Sequence, residues 1–364
     1  MTLRSVLTPS VQWLLACVPL AAVLHYAAPA EQTLIFIVSC IAVIPLAGWL
    51  GTATEHLAER TGEGIGALLN ATFGNAAELI IALAAIRAGL HDVVKASITG
   101  SVIGNILLVM GAAFLAGGLK HRHQTFNPVA ARTQATTLTL ASVALIMPAM
   151  FHHFGGRFAR AREADLSMEI SLVLIATYAL TLLFTLRTHK QLFVGEPEPA
   201  RAVEEGHHAP WPLARSLAIL AVATVLIAWI SEILVGSIEH AAESFGMTSV
   251  FVGVIVVAII GNAAEHSTAI TVAMKNRMDL SYGIAIGSSI QVALFVAPML
   301  VFASHLIGPQ PMDLVFTPLE VVAIALSILI IEQVASDGQS NWLEGVQLLS
   351  VYMILGIVFY FLPA

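Results

Sequence analysis

The stretch GNAAE occurs at Gly74–Glu78 and again at Gly261–Glu265. Both copies lie inside long apolar runs, where a carboxylate has little water to solvate it. A charge at the centre of a bilayer costs at least about 2.5–3.5 kcal/mol on insertion scales, so such residues usually face a partner or an aqueous cavity. The repeated pentapeptide therefore indicates a duplicated fold and a pair of functional acids.

The composition is that of a membrane protein. Of the 364 residues, 58% are hydrophobic and only 11% are charged, whereas soluble domains have about 25% charged residues. A membrane-spanning helix needs about 20 apolar residues. Eleven runs meet this requirement, at residues 8–28, 32–52, 64–87, 96–119, 129–151, 168–187, 214–237, 246–274, 280–306, 314–334 and 343–362. We expect an all-α integral membrane protein with about eleven transmembrane helices in the lipid bilayer.

Similarity between the two halves extends beyond GNAAE. A shift of 187 residues aligns 74–111 with 261–298 without a gap, and twelve of those 38 positions are identical. The identical positions include a Gly-Ser pair, Gly100-Ser101 and Gly287-Ser288. Upstream, EHLAE at 55–59 is echoed by EHAAE at 239–243. The sequence therefore contains two related units.

Counting spans gives these units opposite orientations. One extra helix comes first, five spans follow, and five more come after a polar loop. Because five is odd, the second unit enters the membrane from the other side, as in the inverted repeats of secondary transporters. A channel or a membrane enzyme can share this symmetry. We predict an N-terminal helix at 1–31, repeats at 32–187 and 213–364, and a cytoplasmic acidic linker at 188–212.

The positive-inside rule gives an orientation. With the N-terminus in the cytoplasm, eleven of the sixteen Lys and Arg residues fall inside and five outside. The five outer residues include the opposing cluster Arg157–Arg162. We predict a bacterial-type inner membrane location, with the N-terminus cytoplasmic and the C-terminus outside.

The GNAAE motifs carry the predicted site. Residues three apart share a helix face, so Asn75 should point with Glu78, and Asn262 with Glu265. Burial and mutual repulsion favour protonated carboxyl groups, whereas calcium needs six to eight oxygen ligands. One site can thus hold either protons or a hard cation. We predict Glu78 and Glu265 as both metal-binding and proton-binding residues.

The span after each motif supplies further oxygens. Ser101 and Asn105 are four residues apart, and Ser288 and Gln291 are three apart. Each serine follows a glycine that permits close packing or a local helix break. We predict metal ligands at Ser101, Ser288 and Gln291, alongside the motif asparagines. For the two serines and Asn105, hydrogen bonding between helices is an equal alternative.

Acids near the span ends are candidates for the access path. The predicted set, to which Asn105 also belongs, is Glu55, Glu59, Glu239, Glu243 and Glu232. Their alternative role is as solvated helix ends. Glu320 follows Pro318 near a span end, where we expect interfacial solvation.

Other features exclude several functions. No Walker A, His-Glu-x-x-His or Gly-x-Ser-x-Gly motif is present, so neither ATP drive nor an enzyme is indicated. No basic, aromatic-interleaved stretch suggests nucleic acid. Cys17 and Cys40 are predicted packing residues, and no cofactor is expected. The linker acids Glu196, Glu198, Glu204 and Glu205 belong to a solvated segment or a cation-sensing one.

Two pairs of stretches resemble the repeat motifs of the Ca²⁺/H⁺ antiporter (CAX) family, in the Ca²⁺/cation antiporter superfamily. They are ATFGNAAELIIALAAIRAG with GSVIGNILLVMG, and GNAAEHSTAITVAMKNRMDL with GIAIGSSIQVALFVAP. The similarity extends through TATEHLAERTGEGIGALLNATFGNAAE and FTPLEVVAIALS, covering about 48–120 and 245–335.

The resemblance implies eleven helices, five plus five after an extra first helix. It implies that Glu78 and Glu265 bind the cation and the protons, flanked by the asparagines, serines and glutamine named above. Our hypothesis is a proton-driven Ca²⁺ exporter that uses alternating access, with Ca²⁺ and H⁺ as substrates. A homo-oligomer is compatible with it. The alternatives are Na⁺/Ca²⁺, Na⁺/H⁺ or K⁺/H⁺ exchange on the same fold, or a cation channel.

Overall fold

The computed structural model describes residues 11–61, 66, 69, 72–192 and 211–361. The chain is helical almost throughout. The helices are α1 (Val11–Ala27, whose first turns are 3₁₀), α2 (Gln32–Thr61), α3 (Ala76–Arg87), α4 (His91–Lys120), α5 (Pro128–Gly156), α6 (Glu163–Thr188), α7 (Leu213–Ser244), α8 (Ser249–Gly261), α9 (Ala263–Ala273), α10 (Met278–Ile307), α11 (Pro318–Val334) and α12 (Trp342–Phe361). Two short strands, β1 (Gln124–Thr125) and β2 (Gln339–Ser340), pair antiparallel.

The predicted all-α membrane fold is confirmed. Among the described residues, eight helices are long and apolar enough to cross a membrane, and the bent pair α8–α9 makes a ninth. Large apolar side chains on the outside of the bundle, such as Leu180 and Met353, are exposed as lipid contact requires. The shorter α1 and the twelve residues of α3 occupy two further predicted spans. The count of eleven transmembrane helices stays a prediction.

Helices of the two halves share unusual features. The long helices α2 and α7 pack against each other, and α4 and α10 each contain 30 residues. Both α4 and α10 widen into a π-helical stretch, at Gly104–Val109 and Val292–Val296. The shift of 187 residues places Gly104 opposite Gln291, so the two stretches coincide to within one residue. Single π-helical turns often occur at functional sites, and these begin three residues after Ser101 and four residues after Ser288.

Loop contacts define the two ends of the bundle. At one end, which we call the linker face, β1 pairs with β2 and the Arg60 Nε donates to the Trp211 carbonyl at 2.5 Å. At the other end, the far face, the Lys95 Nζ lies 3.3 Å from the Asp313 Oδ1. The ends of the helices therefore alternate between the two faces, as spans of a membrane protein must.

Glycine permits the closest helix crossing near the site. A Cβ atom at Gly100 would overlap the carbonyl group of Val254, so α4 approaches the backbone of α8 where any side chain would intervene. Gly253 of α8 similarly faces Ala96 of α4. Small residues at such crossings allow van der Waals contact between backbones in a membrane. Gly287, the counterpart of Gly100, instead has open space around it.

Several sequence predictions meet a direct outcome here. Cys40 is buried and Cys17 half-buried, both as free thiols, as expected of packing residues. The expected interfacial solvation of Glu320 is wrong, because this residue is only 2% exposed. It closes a capping box with Thr317 at the start of α11 and accepts from the Thr99 hydroxyl at 3.1 Å. The linker acids lie in 193–210, outside the described residues.

Candidate ion-binding site

Each GNAAE motif interrupts a helix. Asn75 and Asn262 adopt φ/ψ values of −95°/20° and −98°/5°, outside the α-helical region, and α3 and α9 begin at the next residue. The axes of α8 and α9 differ by 61°. The prediction of one continuous helix through Asn and Glu is therefore wrong, and the break does not fall at the Gly-Ser pairs either. Each glutamate lies in the first turn of a new helix.

Glu78 lies at the centre of a buried polar cluster. Its side chain is 8% exposed, and its Oε1 accepts a 2.5 Å hydrogen bond from the Ser101 hydroxyl and another from the Asn262 amide. The same amide lies 3.2 Å from the Ser101 Oγ and donates to the Ala258 carbonyl at 2.9 Å. Asn262 of the second break thus contacts the acid of the first repeat.

A second group of hydrogen bonds connects the two repeats. The Asn75 amide donates to the Gln291 Oε1 at 2.7 Å, and the Ser288 hydroxyl donates to the Asn75 Oδ1 at 3.0 Å. The Asn105 amide in turn donates to the Ser288 Oγ at 3.0 Å. The His266 Nε2 lies 3.2 Å from the Asn105 Oδ1. Every link joins side chains from different repeats.

Glu265 brings the second carboxylate to the same place. It lies close enough to Glu78 for the two charges to repel, and the Ser288 side chain lies beside it. The Glu265 Oε2 and the Glu78 Oε2 are both inaccessible to solvent and have no hydrogen-bond partner among the described residues. A buried carboxylate oxygen without a partner is costly, so this arrangement favours binding a proton or a cation.

The structure brings all seven predicted ligands into one network. They are Glu78, Glu265, Asn75, Asn262, Ser101, Ser288 and Gln291. Asn105, which we also assigned to the access path, is buried within this network. The donor set is carboxylate, amide and hydroxyl oxygen, which suits a hard cation such as Ca²⁺ better than a soft one.

The predicted access-path acids lie away from this network. Glu55 and Glu59 are exposed near the linker-face end of α2, and Glu239 and Glu243 are exposed near the far-face end of α7. Glu232 is also exposed and pairs with Arg87 at 2.8 Å. Their role in ion access stays a prediction.

Sequence reasoning missed one member of the network, His266. It directly follows Glu265 and lies four residues after Asn262, so its spacing alone would have placed it near the break. Its partner Asn105 belongs to the other repeat. That contact depends on how α4 crosses α9, which no local pattern specifies.

Comparisons with known proteins show the family to which the chain belongs. A sequence profile described as "Sodium/calcium exchanger protein" matches residues 31–187 and 215–361. The chain belongs to the sodium/calcium exchanger protein family. This exchanger-family chain is 48% identical over 342 residues to the "Ca(2+)/H(+) antiporter" of Aphanothece halophytica, with 92% of this chain and 91% of the relative covered. It is 45% identical over 332 residues to the "Ca(2+)/H(+) antiporter ChaA" of Bacillus subtilis, with 91% and 93% covered.

The exchanger fold is also found among solved structures. The structure described as native YfkE superposes with a TM-score of 0.83 at 40% sequence identity, covering 97% of this chain and 100% of YfkE. The two family-profile segments cover both GNAAE motifs and omit α1 and the linker. The part of the exchanger shared with its family is therefore the pair of repeats that builds the polar network.

Proposed function

We propose that this protein is a Ca²⁺/H⁺ antiporter in which Glu78 and Glu265 bind Ca²⁺ and protons in alternation. The observation that carries the proposal is the pair of buried, unpartnered carboxylate oxygens within one polar network. The names of the relatives in Aphanothece halophytica and Bacillus subtilis support it. The protein is a transporter and not an enzyme, and its network needs no cofactor.

Competition for the same oxygens provides the coupling. Without a cation, two adjacent buried carboxylates repel each other, and protons on Glu78 and Glu265 relieve that repulsion. A divalent cation neutralises both charges at once, and its positive charge disfavours protons on the same carboxylates. Since both cannot be bound together, loading Ca²⁺ releases protons and loading protons releases Ca²⁺. Two carboxylates allow up to two protons for each cation.

The neutral members of the network complete the proposed ligand set. Asn262 and Ser101 already surround the Glu78 carboxylate, so a cation bound there would replace their donated hydrogens with their oxygens. The second group, Asn75, Ser288 and Gln291, offers an amide oxygen, a hydroxyl and another amide oxygen. Calcium accepts six to eight such oxygens in flexible geometry. Waters would fill the remaining positions.

Opposed repeats provide the route to both sides. Helices broken at the membrane midplane, in units of opposite orientation, are the usual architecture of alternating access. We place the linker face in the cytoplasm of a bacterial-type inner membrane, because it carries most of the Lys and Arg residues. The proton gradient then drives Ca²⁺ from the linker face to the far face.

Purified protein in proteoliposomes tests the proposal. An imposed pH gradient should drive Ca²⁺ accumulation, and Glu78→Gln and Glu265→Gln should each abolish it. Glu169→Gln is the matched control, because Glu169 is an exposed carboxylate of α6 remote from the network. Near-normal uptake in either site variant contradicts the site assignment.

The same vesicles separate the alternatives. Accumulation driven by a Na⁺ gradient and not by a pH gradient indicates Na⁺/Ca²⁺ exchange. Proton-coupled flux of Na⁺ or K⁺ without Ca²⁺ indicates monovalent exchange. Ca²⁺ current that follows its own gradient, with no counter-ion movement, indicates a channel.

A further inference from the structure

Another buried carboxylate lies outside the ion-binding network, at the far-face start of α11. Glu320 is 2% exposed, and both of its carboxylate oxygens accept hydrogen bonds. Its Oε2 accepts from the Thr317 backbone amide at 2.9 Å and from the Thr317 hydroxyl at 2.8 Å, and its Oε1 accepts from the Thr99 hydroxyl at 3.1 Å. Glu78 and Glu265, in contrast, each keep an Oε2 without a partner among the described residues. The contacts of Glu320 therefore indicate a link between helices and not an ion-binding carboxylate.

A positive charge lies near Glu320, on Lys95 of α4. The Lys95 side chain is only 13% exposed, and its Nζ donates to the Val315 carbonyl at 3.0 Å and lies 3.3 Å from the Asp313 Oδ1. The exposed Asp92 lies 3.6 Å from the same Nζ. Val315 and Asp313 belong to the connection between α10 and α11 that leads into Glu320. Because a buried ion is stable only with a counter-charge and hydrogen bonds, Lys95 and Glu320 depend on each other.

These contacts fasten α11 and its preceding connection to α4 at two successive turns. Lys95 and Thr99 are four residues apart, so they share one face of α4. Two residues beyond Thr99 is Ser101, whose hydroxyl donates the 2.5 Å hydrogen bond to Glu78. Since a helix rises about 1.5 Å per residue, Ser101 lies about 3 Å further along the axis than Thr99. A shift of α4 at Thr99 therefore moves Ser101 relative to Glu78.

The other repeat fastens its equivalent helix, α10, with different chemistry. The shift of 187 residues places Tyr282 opposite Lys95 and Ile286 opposite Thr99. Tyr282 stacks on Phe126, just before the start of α5, with ring centroids 5.0 Å apart. An aromatic contact is thus used in one repeat where a buried charge is used in the other. Because stacked rings are enough to pack the helix at this position, a buried charge in α4 requires a reason beyond packing.

We propose that Lys95 and Glu320 are positioning residues, which hold α4 in the register that presents Ser101 to Glu78. This rests on the proposed function, since it assumes that Ca²⁺ binds at Glu78. Hydrogen bonds have defined distances and angles, so the links at Lys95 and Thr99 fix α4 along its axis more narrowly than stacked rings do. Neither positioning residue needs to contact the transported ion.

Substitutions at Thr99 test the link without removing a charge. Thr99→Val keeps the side-chain shape and removes the hydroxyl that donates to Glu320, whereas Thr99→Ser keeps the hydroxyl. Ca²⁺-dependent uptake in proteoliposomes under a fixed pH gradient gives the half-saturating Ca²⁺ concentration and the maximal rate. We expect Thr99→Val to raise the half-saturating concentration by about 10-fold, which corresponds to the loss of one hydrogen bond to a charged group. Thr99→Ser should stay near the wild type.

A double substitution tests the charge pair. Lys95→Met leaves the Glu320 carboxylate buried without its counter-charge, and we expect it to weaken binding of radioactive Ca²⁺ to the detergent-solubilised protein by at least about 10-fold. Adding Glu320→Gln removes the uncompensated charge, so the double variant should bind Ca²⁺ more tightly than Lys95→Met alone. The matched controls are Lys120→Met, at an exposed lysine of the linker-face end of α4, and Glu169→Gln. Both should bind Ca²⁺ like the wild type.

The maximal rate and the half-saturating concentration separate positioning from stability. A merely structural role lowers the amount of active protein, and hence the maximal rate, with an unchanged half-saturating concentration. That result in Thr99→Val overturns the proposal, as does an equal rise in Thr99→Ser or a double variant that binds no better than Lys95→Met. If Lys95→Met is not monodisperse in detergent, the two Thr99 variants decide.

Failure of the proposed function gives a different result. Ca²⁺ binding to the solubilised protein requires no proton coupling. Wild-type protein that binds Ca²⁺ without exchanging it for H⁺ therefore refutes the proposed antiport, and the binding affinities of the Thr99 variants still decide the positioning role. Wild-type protein that binds no Ca²⁺ overturns both proposals.

Discussion

The position of Glu78 relative to Gly261 makes a strong prediction for the substitution Gly261→Ala. A Cβ atom at Gly261 would lie 2.9 Å from the Glu78 Cγ. Carbon atoms in favourable contact are about 3.5–4.0 Å apart. Taking the lower limit, the Cγ must retreat by about 0.6 Å, which is 3.5 Å minus 2.9 Å. Because the carboxylate is one bond further along, it must move with the Cγ.

This movement has a defined energetic consequence. The Oε1 atom of Glu78 holds a 2.5 Å hydrogen bond from Ser101 and a second from Asn262, and neither donor can follow it freely. Overpacking costs about 1–3 kcal/mol, and a hydrogen bond to a charged group contributes about 1.5–3 kcal/mol. Since about 1.4 kcal/mol is a factor of ten in affinity, we expect Gly261→Ala to weaken Ca²⁺ binding by about 10- to 100-fold.

The assay is the Ca²⁺ concentration dependence of uptake in proteoliposomes under a fixed pH gradient. Gly287→Ala is the matched control, because Gly287 directly precedes Ser288 and a Cβ atom added there would meet no neighbouring group within 4 Å. An alanine there improves helix propensity by about 0.8–1.0 kcal/mol and should leave uptake unchanged. Wild-type affinity in Gly261→Ala, or an equal loss in Gly287→Ala, refutes the reasoning.

Two further predictions concern packing and gating. Gly100→Ala should lower the free energy of unfolding by about 1–3 kcal/mol, because the added Cβ atom overlaps the Val254 carbonyl group. The measurement is the melting temperature of the detergent-solubilised protein. Gly104→Ala, with open space around it, should not do so, and equal melting of the two variants contradicts the close crossing. Arg87→Ala removes an exposed ion pair with Glu232, worth about 0.2–1 kcal/mol. We expect about 1.4- to 5-fold faster labelling of Ile81→Cys by a membrane-impermeant thiol reagent applied at the far face, and unchanged labelling shows that the pair does not restrict access to α3 from that face.

The sequence predicted which polar residues lie close together better than it predicted the course of the helices that hold them. Glu78 and Glu265 were chosen as candidates because a carboxylate in an apolar run is costly and because the two copies match. The structure places them close together, and their role in ion binding stays a prediction. The break at Asn75 and Asn262 was missed, since helix periodicity alone is satisfied by a straight helix through the motif. In the structure, the Asn75 and Asn262 side chains at the two breaks are held by hydrogen bonds to other side chains. Those partners belong to the other repeat and are invisible to a local pattern.

The environment of Glu320 was missed for a related reason. Its sequence context, Thr-Pro-Leu-Glu, fits both a solvated helix end and a capping box. In the structure, the Glu320 carboxylate takes part in the capping box and also accepts a hydrogen bond from the Thr99 hydroxyl of α4. Burial of this carboxylate depends on α4 and α11 lying side by side. Composition favours the solvated alternative, which is why the expectation was wrong.

The two acids have the same sequence context and different surroundings. In the repeat alignment, His266 stands opposite Leu79, and Asn105 stands opposite Val292, so the His266–Asn105 contact has no counterpart in the other half. Each acid nevertheless has a serine beside it, Ser101 for Glu78 and Ser288 for Glu265, and each has an Oε2 atom without a partner in the described part of the chain. A cation can therefore approach either acid at an oxygen that gives up no existing hydrogen bond. The difference that remains is at the Glu78 Oε1, which accepts from both Ser101 and the Asn262 amide of the second repeat, so a cation that binds both oxygens of Glu78 must displace two donors.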